Sequence, residues 1–291
     1  MKQYKTEENG ILEVGLKLYT KHFALTLDRE LCKGCELCKL ICPRGAISLI
    51  PPPKDVVGGK TAHYIVDIDE QKCDYHGICA VICPFNAIKI TINGVDGLPA
   101  VDKDVFPVLD RDIAIDGERC KKGCDICVKS CPLGVISDEG GLVSVDSNRC
   151  AGCRICWAEC PTDAIAVSKF IEGSIDLNSG LCPDGCRKCM DVCPVNAMDI
   201  GKDGKVFVKG MYCIYCGACL PVCPESEALH ITRTAVRHTP VDSGAWHNGL
   251  QKVTSAEGLA RELAAERTYK TRKTADKLMR KFGGKSGEHD D

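Results

Sequence analysis

The stretch Cys32-Lys33-Gly34-Cys35-Glu36-Leu37-Cys38-Lys39-Leu40-Ile41-Cys42-Pro43 returns in altered form five more times along the chain. Its spacing is C-x2-C-x2-C-x3-C-P. Four further blocks hold four cysteines each: Cys120, Cys124, Cys127 and Cys131; Cys150, Cys153, Cys156 and Cys160; Cys182, Cys186, Cys189 and Cys193; and Cys213, Cys216, Cys219 and Cys223. The remaining block has Cys73, Cys79 and Cys83, with His76 standing where its second cysteine would fall. Every block ends in Cys-Pro, and together they use all 23 cysteines. The fold follows from what these blocks bind.

Something other than apolar burial must staple this chain. Aromatic residues are only 5% of 291, too few for one large conventional core, and small units need a covalent or inorganic staple. Disulfides sit badly with an odd number of cysteines, and the residues after Met1 lack the apolar stretch of a signal peptide, so a cytoplasmic setting is expected. Zinc would account for the first C-x2-C pair of a block. It leaves unexplained a third cysteine two residues on and a fourth before proline. The full spacing is that of a loop ligating a four-iron cluster.

Each block is followed by a short turn and a small apolar doublet that opens a strand, as in Ala46-Ile47, Ala87-Ile88, Val135-Ile136, Ala164-Ile165, Ala197-Met198 and Ala228-Leu229. Ahead of several blocks lies an alternating segment such as Phe23-Ala24-Leu25-Thr26-Leu27, the pattern of a half-buried strand. Strand, cluster loop, short helix and strand make half of a βαββαβ unit. The x3 variant after the first cysteine recurs in the third and fifth blocks, so neighbouring blocks pair as first with second, third with fourth and fifth with sixth. The expectation is an α+β chain of three tandem ferredoxin-like units: 23–95 with a hairpin insertion at 51–62, 96–170 including a linker, and 171–235. A segment at 1–22 precedes them and an arm at 236–291 follows. Turn signals at Asp138-Glu139-Gly140-Gly141 and Lys202-Asp203-Gly204 mark central hairpins.

In paired loops of this type the fourth cysteine crosses to the other cluster. That rule groups Cys32, Cys35 and Cys38 with Cys83, and Cys73, His76 and Cys79 with Cys42. It groups Cys120, Cys124 and Cys127 with Cys160, and Cys150, Cys153 and Cys156 with Cys131. In the last unit Cys182, Cys186 and Cys189 go with Cys223, and Cys213, Cys216 and Cys219 with Cys193. Six [4Fe-4S] clusters are the expected cofactors. His76 leaves two readings open: nitrogen ligation of the fourth iron, with a raised potential, or an empty slot and a [3Fe-4S] cluster. Two blocks also carry the three-cysteine spacing of radical S-adenosylmethionine enzymes, but Cys160 and Cys223 are at hand to close the fourth site. No catalytic residue is assigned.

Lys+Arg 38 against Asp+Glu 40 makes no electrostatic case for nucleic acid, and no apolar run is long enough to insert into a membrane. The cations beside the blocks, among them Lys33, Arg44, Arg154 and Arg187, read as offsets to cluster charge or as solvated surface. The arm contains Trp246 and a helix-forming stretch from Ser255 to Phe282 with apolar Leu259, Leu263, Met279 and Phe282. Alone such a helix is marginal, so the arm is expected to lie on a partner subunit.

On these blocks the chain resembles a polyferredoxin. The segment His238-Thr239-Pro240-Val241-Asp242-Ser243-Gly244-Ala245-Trp246 is similar to one in the polyferredoxin subunit of methanogen formylmethanofuran dehydrogenases. That resemblance implies an electron-transfer subunit of an anaerobic CO2-reducing complex, with other redox subunits as partners and no small-molecule substrate. Fewer blocks than longer members, and His76, are departures, so the general wiring role carries over and the route and number of centres do not. A freely diffusing carrier, or the electron-transfer subunit of a hydrogenase or formate dehydrogenase, shares the same chemistry.

Overall fold

The computed structural model describes residues 2–52, 61–97 and 105–282. Most of the insertion at 51–62, part of the linker in 96–170 and the end of the arm therefore lie outside the described residues.

Strands β1 (Lys2–Glu8), β2 (Ile11–Lys17) and β3 (His22–Asp28) form an antiparallel meander. Asn9 and Gly10 turn the first hairpin with φ of 50° and 77°, the left-handed pair that a two-residue turn demands. Helix α1 (Leu37–Ile41), strands β4 (Ile47–Ile50) and β5 (Ile65–Ile68), helix α2 (Ile78–Ile82) and strand β6 (Ile88–Ile92) follow. β6 returns beside β3, Leu27 opposite Ile88, and β4 pairs with β5, Ile47 opposite Ile68. With β7 (Val95–Asp96) the sheet order is β1-β2-β3-β6-β7. Thus the segment 1–22, expected only to precede the first unit, widens its sheet. Leu12 and Val14 on β2 are buried.

The same pairing recurs twice. β8 (Ile113–Ile115), α3 (Ile126–Ser130), β9 (Ile136–Glu139), β10 (Leu142–Val145), α4 (Ile155–Ala158) and β11 (Ile165–Val167) come next. β8 pairs with β11 and β9 with β10, across Gly140 and Gly141 at φ of 68° and 90°. Last come β12 (Ile171–Leu177), α5 (Lys188–Asp191), β13 (Met198–Ile200), β14 (Val206–Val208) and β15 (Leu229–Val236). β12 pairs with β15 and β13 with β14. Strand pairing therefore joins neighbouring blocks, first to second, third to fourth and fifth to sixth.

The helices are short because each meets Cys-Pro. Proline pushes the residue before it out of the helical region, and Cys42, Cys83 and Cys131 leave their helices with ψ of 116°, 116° and 109°. Leu37, Ile41, Ile78 and Ile82 are fully buried where α1 meets α2.

The arm departs from expectation. Helix α6 (Gly244–Val253) lies on α1 of its own chain. Ser243 caps it by accepting from the Trp246 amide at 3.3 Å. Trp246 has 0% exposure, and its Nε1 donates to His238 Nε2 at 3.0 Å. The tryptophan expected to meet a partner instead fills an internal core that runs back to Leu12. Its ring is large enough to bury the first part of the arm without help. Helix α7 (Ala256–Phe282) packs on β15 and α6, with Lys270 Nζ 3.0 Å from Asp242 Oδ1 and Leu263 38% exposed. Among the described residues no helix is long and apolar enough to cross a membrane.

Candidate metal centres

All 23 cysteines are free thiols, buried or half-buried, and in five of the six sets they face one another across blocks. Cys83 faces Cys32, Cys35 and Cys38. Cys42 faces Cys73 and Cys79. Cys131 faces Cys150, Cys153 and Cys156. Cys223 faces Cys182 and Cys189, with Cys186 beside both. Cys193 faces Cys213, Cys216 and Cys219. Cys120 and Cys124 lie against Cys127.

Burial pushes most of these thiols up, Cys153 to about 11, Cys156 and Cys216 to about 12, and Cys35 and Cys38 well above the ordinary thiol range. Facing sulfurs in a dry pocket cannot all ionise on their own, because burial and like charge both oppose it. A bound iron cluster supplies the opposing charge, and a coordinating thiol is then deprotonated outright. The donor set fits that group.

Backbone amides are also aimed at sulfur. The amides of Ala46, Ala87, Ala164 and Ala197 donate to Cys42, Cys83, Cys160 and Cys193 Sγ at 3.4, 3.4, 3.3 and 3.2 Å. In these four blocks the small doublet is thus part of the site. The residue before it takes a left-handed turn, at Gly45, Asn86, Asp163 and Asn196 with φ of 61°, 52°, 49° and 49°. Such φ suits glycine, asparagine and aspartate. The sixth block has one extra residue before Ala228, and there Cys223 Sγ instead contacts the Glu225 carbonyl at 3.2 Å. At Cys160 slight burial raises the thiol, but hydrogen bonds from the Thr162 and Ala164 amides outweigh it and hold it below the ordinary value.

His76 occupies the position of a second cysteine in geometry as well as in sequence. Its Nδ1 accepts from the Ile78 amide at 3.3 Å. Cys153 and Cys216, the corresponding cysteines of the fourth and sixth blocks, likewise accept from the amide two residues on. The ring meets Phe106 edge-on with centroids 5.8 Å apart, and Nε2 lies 3.5 Å from Asp74 Oδ1. Burial holds its pKa below the ordinary imidazole value, with Asp74 opposing.

Several cations at the ligand loops come from outside the blocks. Arg111 donates from Nη1 to the Cys150 carbonyl at 2.7 Å and the Pro84 carbonyl at 3.0 Å, and from Nη2 to the Cys83 carbonyl at 2.8 Å. Lys169 Nζ donates to the carbonyls of Cys213 at 2.8 Å and Gly210 at 3.1 Å. Arg233 donates to the Tyr215 carbonyl at 2.8 Å, the Cys216 carbonyl at 3.4 Å and Glu36 Oε1 at 2.8 Å. Lys252 reaches the Cys42 carbonyl at 3.4 Å. None of these sits in a motif, so no spacing signal marks them. Arg154, named from sequence, donates to the Val167 carbonyl at 3.0 Å.

Comparison with known proteins agrees with this geometry. A 4Fe-4S dicluster domain model matches residues 31–87 and 181–226, and a 4Fe-4S binding domain model matches 143–166. The chain is 46% identical over 52 residues to the pyruvate synthase subunit PorD of Methanocaldococcus jannaschii, covering 18% of this chain and 59% of that protein, less than two thirds of its length. It is 37% identical over 60 residues to a ferredoxin of the same organism, covering 19% of this chain and 77% of that one. In structure it resembles a chain of the formate dehydrogenase–heterodisulfide reductase–formylmethanofuran dehydrogenase complex of Methanospirillum hungatei. The TM-score is 0.78 at 29% identity, over 87% of this chain and 92% of that one. With its cysteine blocks strung along one polypeptide, the chain belongs to the 4Fe-4S ferredoxin family, as a polyferredoxin.

Proposed function

We propose that this chain is an electron-transfer subunit built from three tandem ferredoxin-like domains, at 23–95, 96–170 and 171–235, of the βαββαβ pattern except that the last block of the third turns without forming a helix, holding six [4Fe-4S] clusters in the crossed ligand sets given above. His76 is the fourth ligand of the set with Cys73, Cys79 and Cys42. The observation that supports this reading is the facing of five of the six fourth cysteines toward the neighbouring block, Cys160 being the exception, and it is fullest where Cys83 meets Cys32, Cys35 and Cys38. When bound, each cluster takes up and releases single electrons at a potential set by charge, hydrogen bonds to sulfur and exposure. The chain's own part is to hold sulfur, exclude water and aim amides. On this reading the chain conducts electrons within an oxidoreductase complex and has no catalytic site of its own.

The resemblance to a chain of the Methanospirillum complex supports a place among redox subunits of an anaerobic, CO2-reducing assembly of the formylmethanofuran dehydrogenase type, in the cytoplasm, where thiols stay reduced. Helix α7 (Ala256–Phe282), most of whose described side chains are exposed, is the part of the arm assigned to a partner. Iron and acid-labile sulfide are to be measured on anaerobically purified protein, together with the subunits that co-purify. About 24 irons per chain are expected. Zinc in their place would overturn the reading, and a monomer indifferent to removal of α7 would favour a diffusing carrier.

A further inference from the structure

The cations described above are not scattered. Arg111 bonds to the carbonyls of Cys83 and Pro84 in the first unit and of Cys150 in the second. Its guanidinium also stacks on the buried Phe170 ring, 4.7 Å from the centroid. Lys169, at the end of the second unit, bonds to Gly210 and Cys213 in the third and lies 4.8 Å over the Tyr215 ring. Arg233, in the third unit and only 6% exposed, bonds to Cys216 of its own unit and to Glu36 of the first. Each pair of units is therefore joined by one cation, and the joins close on themselves: first to second, second to third, third to first. Cys35 of the first unit lies within electrostatic reach of Cys216 of the third.

Under the ligand sets proposed above, on which this inference rests, the touched cysteines belong to one cluster site per unit. They are the sites of Cys32/Cys35/Cys38/Cys83, of Cys131/Cys150/Cys153/Cys156 and of Cys193/Cys213/Cys216/Cys219. The sites containing His76, Cys120 and Cys182 receive none of these three cations. We propose that Arg111, Lys169 and Arg233 are positioning residues of a three-way electron junction: they hold the three inner cluster sites in a closed ring and bias those sites, over the three outer ones, toward the reduced state. A fixed positive charge at a ligand loop stabilises the more negative, reduced form, and low dielectric strengthens the effect. Glu36 offsets part of the charge of Arg233, so the bias is greatest at Arg111 and Lys169. One electron entering from a donor protein at one outer site leaves to an acceptor protein at another, and the chain is returned unchanged. An electron passing between the first and third units need not cross the second.

The ring has a signature in EPR-monitored redox titration of the iron-loaded chain. Arg111→Met should lower two midpoints, those of the inner sites of the first and second units. Lys169→Met should lower those of the second and third, and Arg233→Met, by less, those of the third and first. Each inner midpoint thus moves in two of the three variants, and the outer three move in none. Lys252→Met, which touches only Cys42, should lower one midpoint alone. If Arg111→Met loses iron, Arg111→Lys is titrated in its place and should move the same two midpoints less, since an ammonium cannot reproduce the planar fork. Full iron with unmoved midpoints would overturn the junction. So would a pattern in which the first and third inner sites each move in one variant only, which is the signature of a linear chain. A protein without titrating clusters would overturn the electron-transfer reading and this inference with it.

Discussion

Gly249 of α6 rests directly on Ile41 of α1. A Cβ on Gly249 would come 2.8 Å from Ile41 Cγ1 and 3.0 Å from Ile78 Cδ1. The arm is thereby packed onto the two helices that follow the first pair of cluster loops, with Trp246 and Leu250 completing the seam. Gly249→Leu should force this seam apart at about 1–3 kcal/mol, and Trp246→Ala should cost about 3–5 kcal/mol through the cavity it leaves. Both are read as a lower urea midpoint for loss of cluster absorbance. An unchanged midpoint in both variants would mean that the arm does not support the first unit.

Gly34 and Gly123 adopt similar left-handed backbones, with φ of 60° and 74°, in different surroundings. A Cβ on Gly34 would run into the Tyr64 carbonyl, whereas one on Gly123 meets nothing within 4 Å. Alanine at either pays about 1–2 kcal/mol for the left-handed conformation. Only Gly34→Ala must also move the backbone beside Cys32 and Cys35. Iron content should fall by one cluster in Gly34→Ala and stay whole in Gly123→Ala. Equal iron in the two would remove the Tyr64 contact from the account.

The His76 assignment turns on charge. Replacing a neutral imidazole by a thiolate makes the site more negative and lowers its potential, so His76→Cys should lower one midpoint and leave the rest. If His76 does not ligate, the unaltered protein should instead carry a three-iron EPR signal, which His76→Cys converts to a four-iron one. A three-iron signal would thus sink nitrogen ligation.

The hairpin of β1 and β2 is pinned by Arg29, which donates to Glu7 Oε1 and Oε2 at 3.0 Å each and to the Val66 carbonyl. The hydrogen bond from Arg29 holds the Glu7 carboxyl below its ordinary value. A carboxyl lowered in the folded state stabilises above its unfolded value and loses that contribution as pH falls through the folded one. Glu7 is about half exposed, so the contribution is at most about 1 kcal/mol. Amide exchange across Lys2–Glu8, corrected for intrinsic rate, should quicken below about pH 4 and become insensitive to pH in Glu7→Gln. Identical profiles for the two proteins would rule the pair out as the pin.

Much of the site is legible residue by residue. The Cys-Pro pairs end the helices, the doublets at Ala46, Ala87, Ala164 and Ala197 place amides on sulfur, and Gly140-Gly141 turns a hairpin as expected. Asn9-Gly10 is an equally plain signal for the first hairpin, though a reading fixed on the cysteine blocks passes over it. Trp246 shows the other limit: an exposed and a buried tryptophan look alike in a sequence whose helix is marginal by itself.

The sequence by itself determined the cysteine blocks, the strands that flank them, the helices of the first five blocks and the pairing of neighbouring blocks. These depend on spacings of two to five residues and on local backbone preferences around proline and glycine. Only the tertiary structure decided that the arm folds back on α1, and that Arg111, Lys169 and Arg233 stand between units at ligand-loop carbonyls. Those contacts join residues as far apart as Glu36 and Arg233, and a cation that meets its carbonyls across such a distance leaves no period or motif in the chain. Packing of one unit against another selected them.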